Sequence, residues 1–188
     1  MRRLFLIRHA DTKIVASVPA ADWHLSETGY ERARTLAAKI KPKGLNCIHS
    51  SVEPKAVQTA EAFREVFSVP IVQVPGLHEH ERPGVPLLPN DVFERTMETF
   101  FSRPSLREFG NESADEARTR FEQALVSLID NSSDDLVVVT HGTVLTLIVA
   151  SKNRIDAFSF WKQLRMPSAV SLRLPDMTLE DIVTPAAV

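Results

Sequence analysis

The amino-acid sequence predicts a three-layer α/β/α sandwich built around a mostly parallel sheet. Short apolar runs alternate with longer amphipathic runs along the chain of 188 residues. The short runs are continuously apolar and rich in branched side chains, as expected of strands that are buried on both faces of a sheet. Strands that alternate with helices favour parallel pairing through helical crossovers. The sequence contains no internal repeat, low-complexity tract or linker, so we expect residues 1–188 to form a single domain.

Six segments of the sequence predict the strands of this sheet. Four of them should be buried, and they span residues 4–7, 46–49, 71–74 and 136–140. Residues 169–174 alternate between apolar and polar side chains, which is typical of a half-exposed strand or a strand at the edge of a sheet. A short final strand is expected near residues 181–184.

Helix signals occupy the intervals between these strands. Thr28 and Glu31 have the capping-box spacing, and Pro54 suits the first turn of a second helix. A further capping box at residues 113–116 precedes another amphipathic run. Residues 142–150 are apolar on nearly every face, which indicates a helix packed deeply against the sheet.

The segment from residue 75 to residue 111 departs from this alternation. It contains five prolines and one predicted helix near residues 91–101, so we expect a lid-like excursion over the sheet rather than a second domain. Arginines and phenylalanines are interleaved in and beside it: Arg82, Arg95, Arg103, Arg107, Phe93, Phe100, Phe101 and Phe109. They form either a solvated helix face over packed aromatic rings, or a surface from which one or two arginines line a substrate pocket. Arg118 and Arg120 are expected on the solvated side of the next helix.

Composition and charge exclude several classes of protein. Apolar residues make up 44% of the chain and charged residues 24%, as in ordinary soluble domains. The formal net charge of -2 gives no general attraction to nucleic acid or to an anionic membrane. Cys47 is the only cysteine, so no disulfide can form within the chain. The apolar run near the start ends at Arg8, too early for an export signal, and we expect a cytoplasmic protein.

Two of the predicted strands look alike beyond their carboxyl ends, where each runs into a histidine followed by a small residue. The first runs into Arg8-His9-Ala10, and the fourth runs into Thr140-His141-Gly142. In α/β sheets, ligands bind beyond the carboxyl ends of the strands, so both imidazoles would lie where a substrate binds. The alternative is that they are hydrogen-bonded structural histidines, and the residues alone leave both interpretations open.

Six blocks of the sequence, taken together, resemble the signature segments of one known family. They are Arg8-His9-Ala10-Asp11-Thr12, Leu25-Ser26-Glu27-Thr28-Gly29, Ser50-Ser51-Val52-Glu53-Pro54-Lys55-Ala56-Val57-Gln58-Thr59-Ala60, Leu77-His78-Glu79, Gly110-Asn111-Glu112-Ser113 and Thr140-His141-Gly142. In content and order they are similar to the blocks of the histidine phosphatase superfamily, which is phosphoglycerate mutase-like in fold. The chain resembles the compact phosphatase branch of that superfamily.

The resemblance implies a mechanism and a set of roles. His9 would attack phosphorus as a neutral imidazole and become phosphohistidine, while its other ring nitrogen donates to a backbone carbonyl. Glu79 would protonate the leaving oxygen and later activate water, and Glu81 is the alternative acid. No metal ion or other cofactor is required. The residues expected to bind the phosphoryl group and offset its charge are Arg8, Thr12, Lys55 and His141.

Four positions depart from the family pattern. Lys55 replaces the usual arginine, and lysine keeps the charge but lacks the planar two-pronged guanidinium. Ala10 replaces the usual glycine, and Ser168 stands where asparagine is frequent. Val15 replaces an asparagine by which the mutases hold phosphate, which argues against mutase activity. The phosphoryl group would therefore be held less rigidly than in the family at large.

These observations predict a metal-independent phosphatase that hydrolyses a phosphomonoester or a phosphohistidine through a phosphohistidine intermediate. Its partner would be a phosphorylated small molecule or a phosphoprotein, and the sequence carries no signal of an oligomeric state. The second hypothesis is a non-catalytic relative of the same fold that binds a phosphorylated ligand. The third is a metal-dependent hydrolase, in which an extended loop at residues 78–81 presents two histidines and two glutamates.

Overall fold

The computed structural model describes residues 1–185, and a six-stranded mixed sheet forms its centre. The strands are β1 (Arg3–Arg8), β2 (Ile48–Ser50), β3 (Ile71–Gln73), β4 (Leu136–Thr140), β5 (Ser168–Arg173) and β6 (Thr178–Val183). Their order across the sheet is β3-β2-β4-β1-β5-β6. The first four in this order are parallel, whereas β5 runs antiparallel to β1 and β6 antiparallel to β5. The predicted mostly parallel sheet is confirmed.

Helices cover both faces of this sheet. They are α1 (Glu27–Lys39), α2 (Pro54–Phe67), α3 (Asn90–Ser102), α4 (Ala114–Asp130), α5 (Gly142–Asn153) and α6 (Ala157–Gln163). On one face, α1 and α2 meet Phe5 and Ile7 of β1, and on the other face α3 to α6 meet Leu4 and Leu6 of the same strand. Because successive side chains of β1 are buried on opposite faces, the strand is apolar throughout. The three-layer α/β/α architecture is confirmed.

The two edges of the sheet differ from the sequence prediction. The predicted edge strand at residues 169–174 is β5, which is buried between β1 and β6. The final strand, β6, is longer than expected and forms that edge itself. At the opposite edge, β3 is half-exposed rather than buried, with 44% of Val72 exposed. Both errors have one cause, since exposure depends on the order of strands and the periodicity of one strand does not encode that order.

The helix starts agree with the sequence except in two places. The residue that caps α1 is Ser26 rather than Thr28, because the Ser26 Oγ accepts the Gly29 N–H at 3.0 Å. The capping box at the start of α4 is confirmed. The seven-residue α6 is absent from the sequence prediction, and the Asp156 carboxylate caps it. No helix within residues 1–185 is long and apolar enough to cross a membrane.

Helix α1 and its N-cap contact the loop that follows β1 and hold its backbone in place. The Ser26 N–H donates to the Asp11 carbonyl oxygen at 2.9 Å, and a Cβ added at Gly29 would lie 2.2 Å from that same oxygen. Only glycine therefore allows this approach of helix and loop. Arg32 of α1 also forms an ion pair with the Asp11 carboxylate at 2.8 Å. These contacts fix the backbone that carries His9.

Candidate active site

The two histidines predicted from the strand ends lie side by side in the structure. β1 and β4 are parallel neighbours, with Arg8 opposite Thr140 in the register. The His9 N–H donates to the Thr140 carbonyl at 2.9 Å. The ring centroids of His9 and His141 are 5.3 Å apart in an edge-to-face arrangement, and both residues are buried. The pairing of the two strands thus creates the site.

The imidazole of His9 is fixed in one tautomer. Its Nδ1 lies 2.8 Å from the Ala10 carbonyl oxygen, which can only accept a hydrogen bond, so Nδ1 carries the proton. The pKa of His9 lies well below its ordinary value, first because the ring is buried and then because His141 and Lys55 are close. A neutral ring with a free lone pair on Nε2 results, which is the form that acts as a nucleophile.

The imidazole of His141 lies in the same cluster and hydrogen-bonds to a serine. Its Nε2 lies 2.7 Å from the Ser51 Oγ. That oxygen also accepts the Glu53 N–H, and in the tautomer in which it donates its own proton to Nε2, Nδ1 of His141 carries the ring proton. Burial, followed by the charge of Lys55, lowers the pKa of His141 and keeps the ring neutral. This Nδ1 is buried and has no hydrogen-bond partner within residues 1–185.

Arg8 supplies a second buried donor at the end of β1. One terminal nitrogen of its guanidinium donates to the carbonyl of Leu164, the residue that follows α6. Its Nε is buried without a partner among the described residues. A Cβ at Gly142 would lie 2.9 Å from this Nε, so the glycine after His141 makes room for the guanidinium. Ser168 lies beside Arg8 in the register, and its hydroxyl is likewise buried without a partner in the described part of the chain.

The carboxylate of Glu79 reaches the start of α5. It accepts the backbone N–H groups of Thr143 at 3.1 Å, Val144 at 3.3 Å and His80 at 2.9 Å. Burial opposes ionisation of Glu79. Because the His141 ring is neutral, it is the nearby Arg82 guanidinium and these N–H donors that outweigh the effect of burial. The pKa of Glu79 therefore lies well below its ordinary value, and the group is ionised in the ligand-free protein.

The loop that carries Glu79 is held by Arg120, contrary to the sequence prediction. The Arg120 guanidinium donates to the carbonyl oxygens of Gly76, His78 and Glu79 at 2.9 to 3.2 Å and forms an ion pair with Glu112. The prediction that Arg120 lies on the solvated side of its helix is wrong. The loop has carbonyls that no strand or helix satisfies, and a five-donor guanidinium on the adjacent helix satisfies them.

Sequence reasoning missed Glu53, which links three of the predicted site residues. One carboxylate oxygen of Glu53 contacts the Lys55 Nζ. The other accepts the Glu79 N–H at 2.8 Å and lies 3.5 Å from the Nε2 of His141. Lys55 also donates to the Ala20 carbonyl at 2.7 Å, so two of its three N–H groups are engaged. An acidic residue two positions before the substituted lysine is the signal that could have identified this pair.

Two other expected contributors lie less centrally. Thr12 forms an isolated bridge with Leu25, and its hydroxyl makes no hydrogen bond to any residue from 1 to 185. The carboxylate of Glu81 is 3.1 Å from the Nε2 of His78, and its side chain is 48% exposed. Of the two carboxylates in this loop, it is therefore Glu79, and not Glu81, that reaches the start of the helix following His141.

The side chains of residues 78–81 go in different directions. Glu79 points to α5, while His78 contacts Glu81. His80 is buried, with its Nε2 2.8 Å from the Glu112 carbonyl and its ring packed against Phe100 and Phe109. Within residues 1–185, no group of three or more His, Cys, Asp or Glu side chains is arranged to hold a metal ion. This loop therefore does not present the four side chains together, as the third hypothesis requires.

Comparison with known proteins identifies relatives over nearly the whole chain. A model of the histidine phosphatase superfamily (branch 1) matches residues 4–176. A Schizosaccharomyces pombe protein named as a probable phosphatase is 28% identical over 156 residues, which are 77% of this chain and 54% of that protein. The chain thus spans about half the length of the curated relative that it matches.

Solved structures of phosphatases share the fold. The Entamoeba histolytica phosphoserine phosphatase in complex with 3-phosphoglyceric acid has a TM-score of 0.78 at 20% identity, over 99% of this chain and 98% of that chain. The mycobacterial glucosyl-3-phosphoglycerate phosphatase complexed with VO3 has a TM-score of 0.77 at 19% identity, over 100% of both chains. At these identities the similarity is one of fold.

Proposed function

This chain belongs to the histidine phosphatase superfamily, branch 1, and we propose that it is a phosphatase that works through a phosphohistidine formed on His9. One observation carries the proposal. A backbone carbonyl fixes the proton of His9 on Nδ1, and the ring belongs to a buried cluster in which two nitrogens lack partners within residues 1–185, His141 Nδ1 and Arg8 Nε. A nucleophile beside buried donors suits an anionic electrophile such as a phosphoryl group.

The first chemical step transfers the phosphoryl group to His9. The Nε2 lone pair attacks phosphorus, the bond from phosphorus to the leaving oxygen breaks, and that oxygen takes a proton. The positive charge of Arg8, the Nδ1–H of His141 and the remaining N–H of Lys55 offset the charge on the equatorial oxygens. In the second step water attacks phosphorus, the P–N bond breaks, and its electron pair returns to Nε2.

Glu79 carries the protons in both steps of this scheme. Glu79 is ionised before substrate binds, so it has no proton of its own to give. The proton for the leaving oxygen arrives on the substrate, whose phosphoryl group binds as a singly protonated monoanion. Such monoanions lose their second proton near pH ~6. The added negative charge of the bound group raises the proton affinity of Glu79, which then passes the proton to the leaving oxygen. In hydrolysis the Glu79 carboxylate takes a proton from the attacking water.

The activity should persist in acid. The pKa of His9 lies well below its ordinary value of 6.5, so the nucleophile stays neutral as the pH falls below that value. The expected result is a kcat/KM for an aryl phosphate whose acid-side decline begins well below pH 6.5. The measurement is a pH–rate profile at constant ionic strength. An acid-side half-loss at pH 6.5 or above would mean that His9 titrates as an ordinary histidine and would contradict this account.

We propose a phosphorylated small molecule as the substrate, bound beneath the excursion of residues 75–111 as part of a single domain. The phosphatases of similar fold act, by their names, on phosphoserine and on glucosyl-3-phosphoglycerate, which supports this class. A phosphoprotein, including one with phosphohistidine, is the alternative substrate. Hydrolysis assays in excess chelator on small phosphomonoesters, on phosphoproteins and on phosphohistidine distinguish these substrates.

The experiment that tests the proposed chemistry is capture of the phosphorylated enzyme. The protein is mixed with excess substrate and chelator and quenched in alkali, in which phosphohistidine survives. The labelled residue is then identified by peptide mapping. Label on His9 that disappears when substrate is exhausted supports the proposal. Hydrolysis with no label on His9 would overturn it.

One observation favours the non-catalytic hypothesis. The buried carboxylate of Glu53 engages Lys55 and lowers the positive charge that the cluster offers to a phosphoryl group. If the chain only binds phosphorylated ligands, it forms no phosphoenzyme and hydrolyses none of the compounds in the screen. Binding would then be detected by calorimetry with the same compounds.

A further inference from the structure

Thr59 of α2 is fully buried, and the mechanism above does not use it. Its hydroxyl makes two hydrogen bonds. The Oγ1 accepts the N–H of Ala10, the residue directly after His9, at 3.0 Å, and it donates to the carbonyl oxygen of Lys55 at 2.7 Å. A hydroxyl has one proton to donate and two lone pairs that accept, so both bonds can form together. Thr59 therefore joins the residue after the nucleophile to a residue that carries a cation of the site.

The first of these bonds satisfies a buried backbone donor. Ala10 is fully buried, and within residues 1–185 its N–H has no other hydrogen-bond acceptor. A buried N–H without an acceptor is unfavourable, so loss of the hydroxyl would favour a shift of the Ala10 backbone. The contacts that Ser26 and Arg32 make with this loop are to Asp11, one residue further on. Thr59 is therefore the side chain that holds Ala10 itself.

The position of Ala10 matters because its carbonyl holds the proton of His9. The Nδ1 of His9 lies 2.8 Å from this carbonyl oxygen, and that bond leaves Nε2 as the free nitrogen. The N–H and the carbonyl of one residue belong to different peptide units. The Thr59 hydroxyl therefore acts by fixing where Ala10 lies and not by polarising its carbonyl. A shift of Ala10 would move the acceptor and release the imidazole from its single tautomer.

Other threonines in the helices make the helical bond of Thr59 without its second partner. Four of them donate through Oγ1 to the carbonyl four residues earlier: Thr35, Thr96, Thr99 and Thr119. Such a bond is an ordinary way for a helical threonine to satisfy its hydroxyl and needs no function. Thr59 differs because it is fully buried and accepts a backbone N–H from outside its helix. This second bond indicates a role beyond the helix.

We propose that Thr59 is a positioning residue for phosphoryl transfer, which holds the Ala10 backbone so that His9 presents Nε2 to phosphorus. This role rests on the phosphatase function proposed above. Because Thr59 lies one turn of α2 after Lys55, the same helix fixes the nucleophile and a cation relative to each other. In-line attack requires a defined geometry of the reacting atoms, and a displacement of ~1 Å can lower the rate by ~100-fold.

Thr59→Val, which replaces the hydroxyl by a methyl group of similar size, is the test variant. Label uptake by His9 from an aryl phosphate is followed by rapid quench in alkali. The maximal rate should fall by ~10–100-fold, while the substrate concentration at half-maximal rate changes by less than ~3-fold. Thr59→Ser restores the hydroxyl and should recover most of the rate. Thr59→Cys carries a weaker acceptor, should lie between them, and replaces Thr59→Val if that protein does not fold.

The tautomer of His9 is a second readout, which does not depend on turnover. Nitrogen NMR of the imidazole rings should show Nδ1–H and a free Nε2 for His9 in the native chain, and a mixture of tautomers in Thr59→Val. The His9 signals are identified by their absence from His9→Ala. A threonine that only stabilised the fold would leave this tautomer unchanged, and thermal unfolding shows which variants remain folded.

Thr119→Val is the matched control. It removes the same bond to the carbonyl four residues earlier, at 2.7 Å, on the exposed face of α4. Its label rate should stay within ~2-fold of the native rate, as expected of a surface substitution, and the His9 tautomer should be unchanged.

The possible outcomes separate this role from the phosphatase function. If the native chain neither hydrolyses the aryl phosphate nor takes up label on His9, the phosphatase function fails, and the role of Thr59 fails with it. If the native chain is labelled but folded Thr59→Val is labelled as fast as Thr119→Val, or keeps one tautomer, the function stands and the role of Thr59 is overturned. Slow labelling with mixed tautomers in Thr59→Val, and recovery in Thr59→Ser, supports both.

Discussion

Replacement of His9 by alanine is expected to lower kcat/KM for an aryl phosphate by about 10⁴-fold or more, as for the loss of other covalent nucleophiles. The neighbouring donors, His141 and Arg8, would still bind the phosphoryl group, but no side chain in the cluster could replace the free Nε2. The measurement is steady-state hydrolysis in excess chelator, together with capture of the phosphorylated enzyme. Both the turnover and the label should disappear in His9→Ala.

His24→Ala is the matched control for this experiment. His24 is exposed, and its Nδ1 lies 3.0 Å from the Gln58 side-chain nitrogen. Its loss should leave the rate within about twofold of the native rate, as expected of a surface substitution. Retention of a tenth or more of the native activity in a folded His9→Ala protein would rule out His9 as the nucleophile.

The largest expected effect on stability is at Lys55. Only 7% of the Lys55 side chain and 10% of the Glu53 side chain are exposed, so the pair is buried. Lys55→Met leaves the Glu53 carboxylate without its counter-charge and should lower the free energy of unfolding by about 3–5 kcal/mol. The measurement is chemical denaturation of the native and variant chains. The variant should also lose activity, because a cation that acts on both histidines is gone.

A second substitution separates the two effects at Lys55. Combining Lys55→Met with Glu53→Gln removes both charges, and the amide oxygen can still accept the Glu79 N–H. Most of the stability should return in this double variant, but the activity should not. Lys162→Met breaks the exposed pair with Glu94 and should change stability by less than about 1 kcal/mol. If the single and double variants at Lys55 unfold alike, the pair does not contribute as a buried ion pair.

The fold was predictable to the level of its layers and not to the order of its strands. Continuous apolar character in β1 and β4 reports burial on two faces, and that property is local to each strand. Whether β5 lies inside the sheet depends on β6 pairing with it, which no pattern within residues 169–174 records. The short α6 was missed because its seven residues are fewer than a helical period needs for recognition.

The candidate site, like the fold, was predictable only in part. His9 and His141 follow adjacent strands, and Glu79 lies in a recognisable block, so the resemblance located all three. The roles of Glu53 and Arg120 depend on which backbone groups meet across 26 and 41 to 44 residues of intervening sequence. Such long-range hydrogen bonding leaves no periodic signal. The same holds for the arginines of the excursion, for which the sequence leaves two interpretations.

The placement of β1 at the middle of the sheet bears on how the protein is made. Both of its neighbours, β4 and β5, come from the last third of the chain. As a nascent chain leaves the ribosome, β1 has two bare edges and two apolar faces until residues 136–173 have been synthesised. Such a strand can pair with other nascent chains in the meantime. The sheet can therefore be completed only after β4 and β5 have been synthesised. Chains that stop short of β4 should aggregate rather than fold.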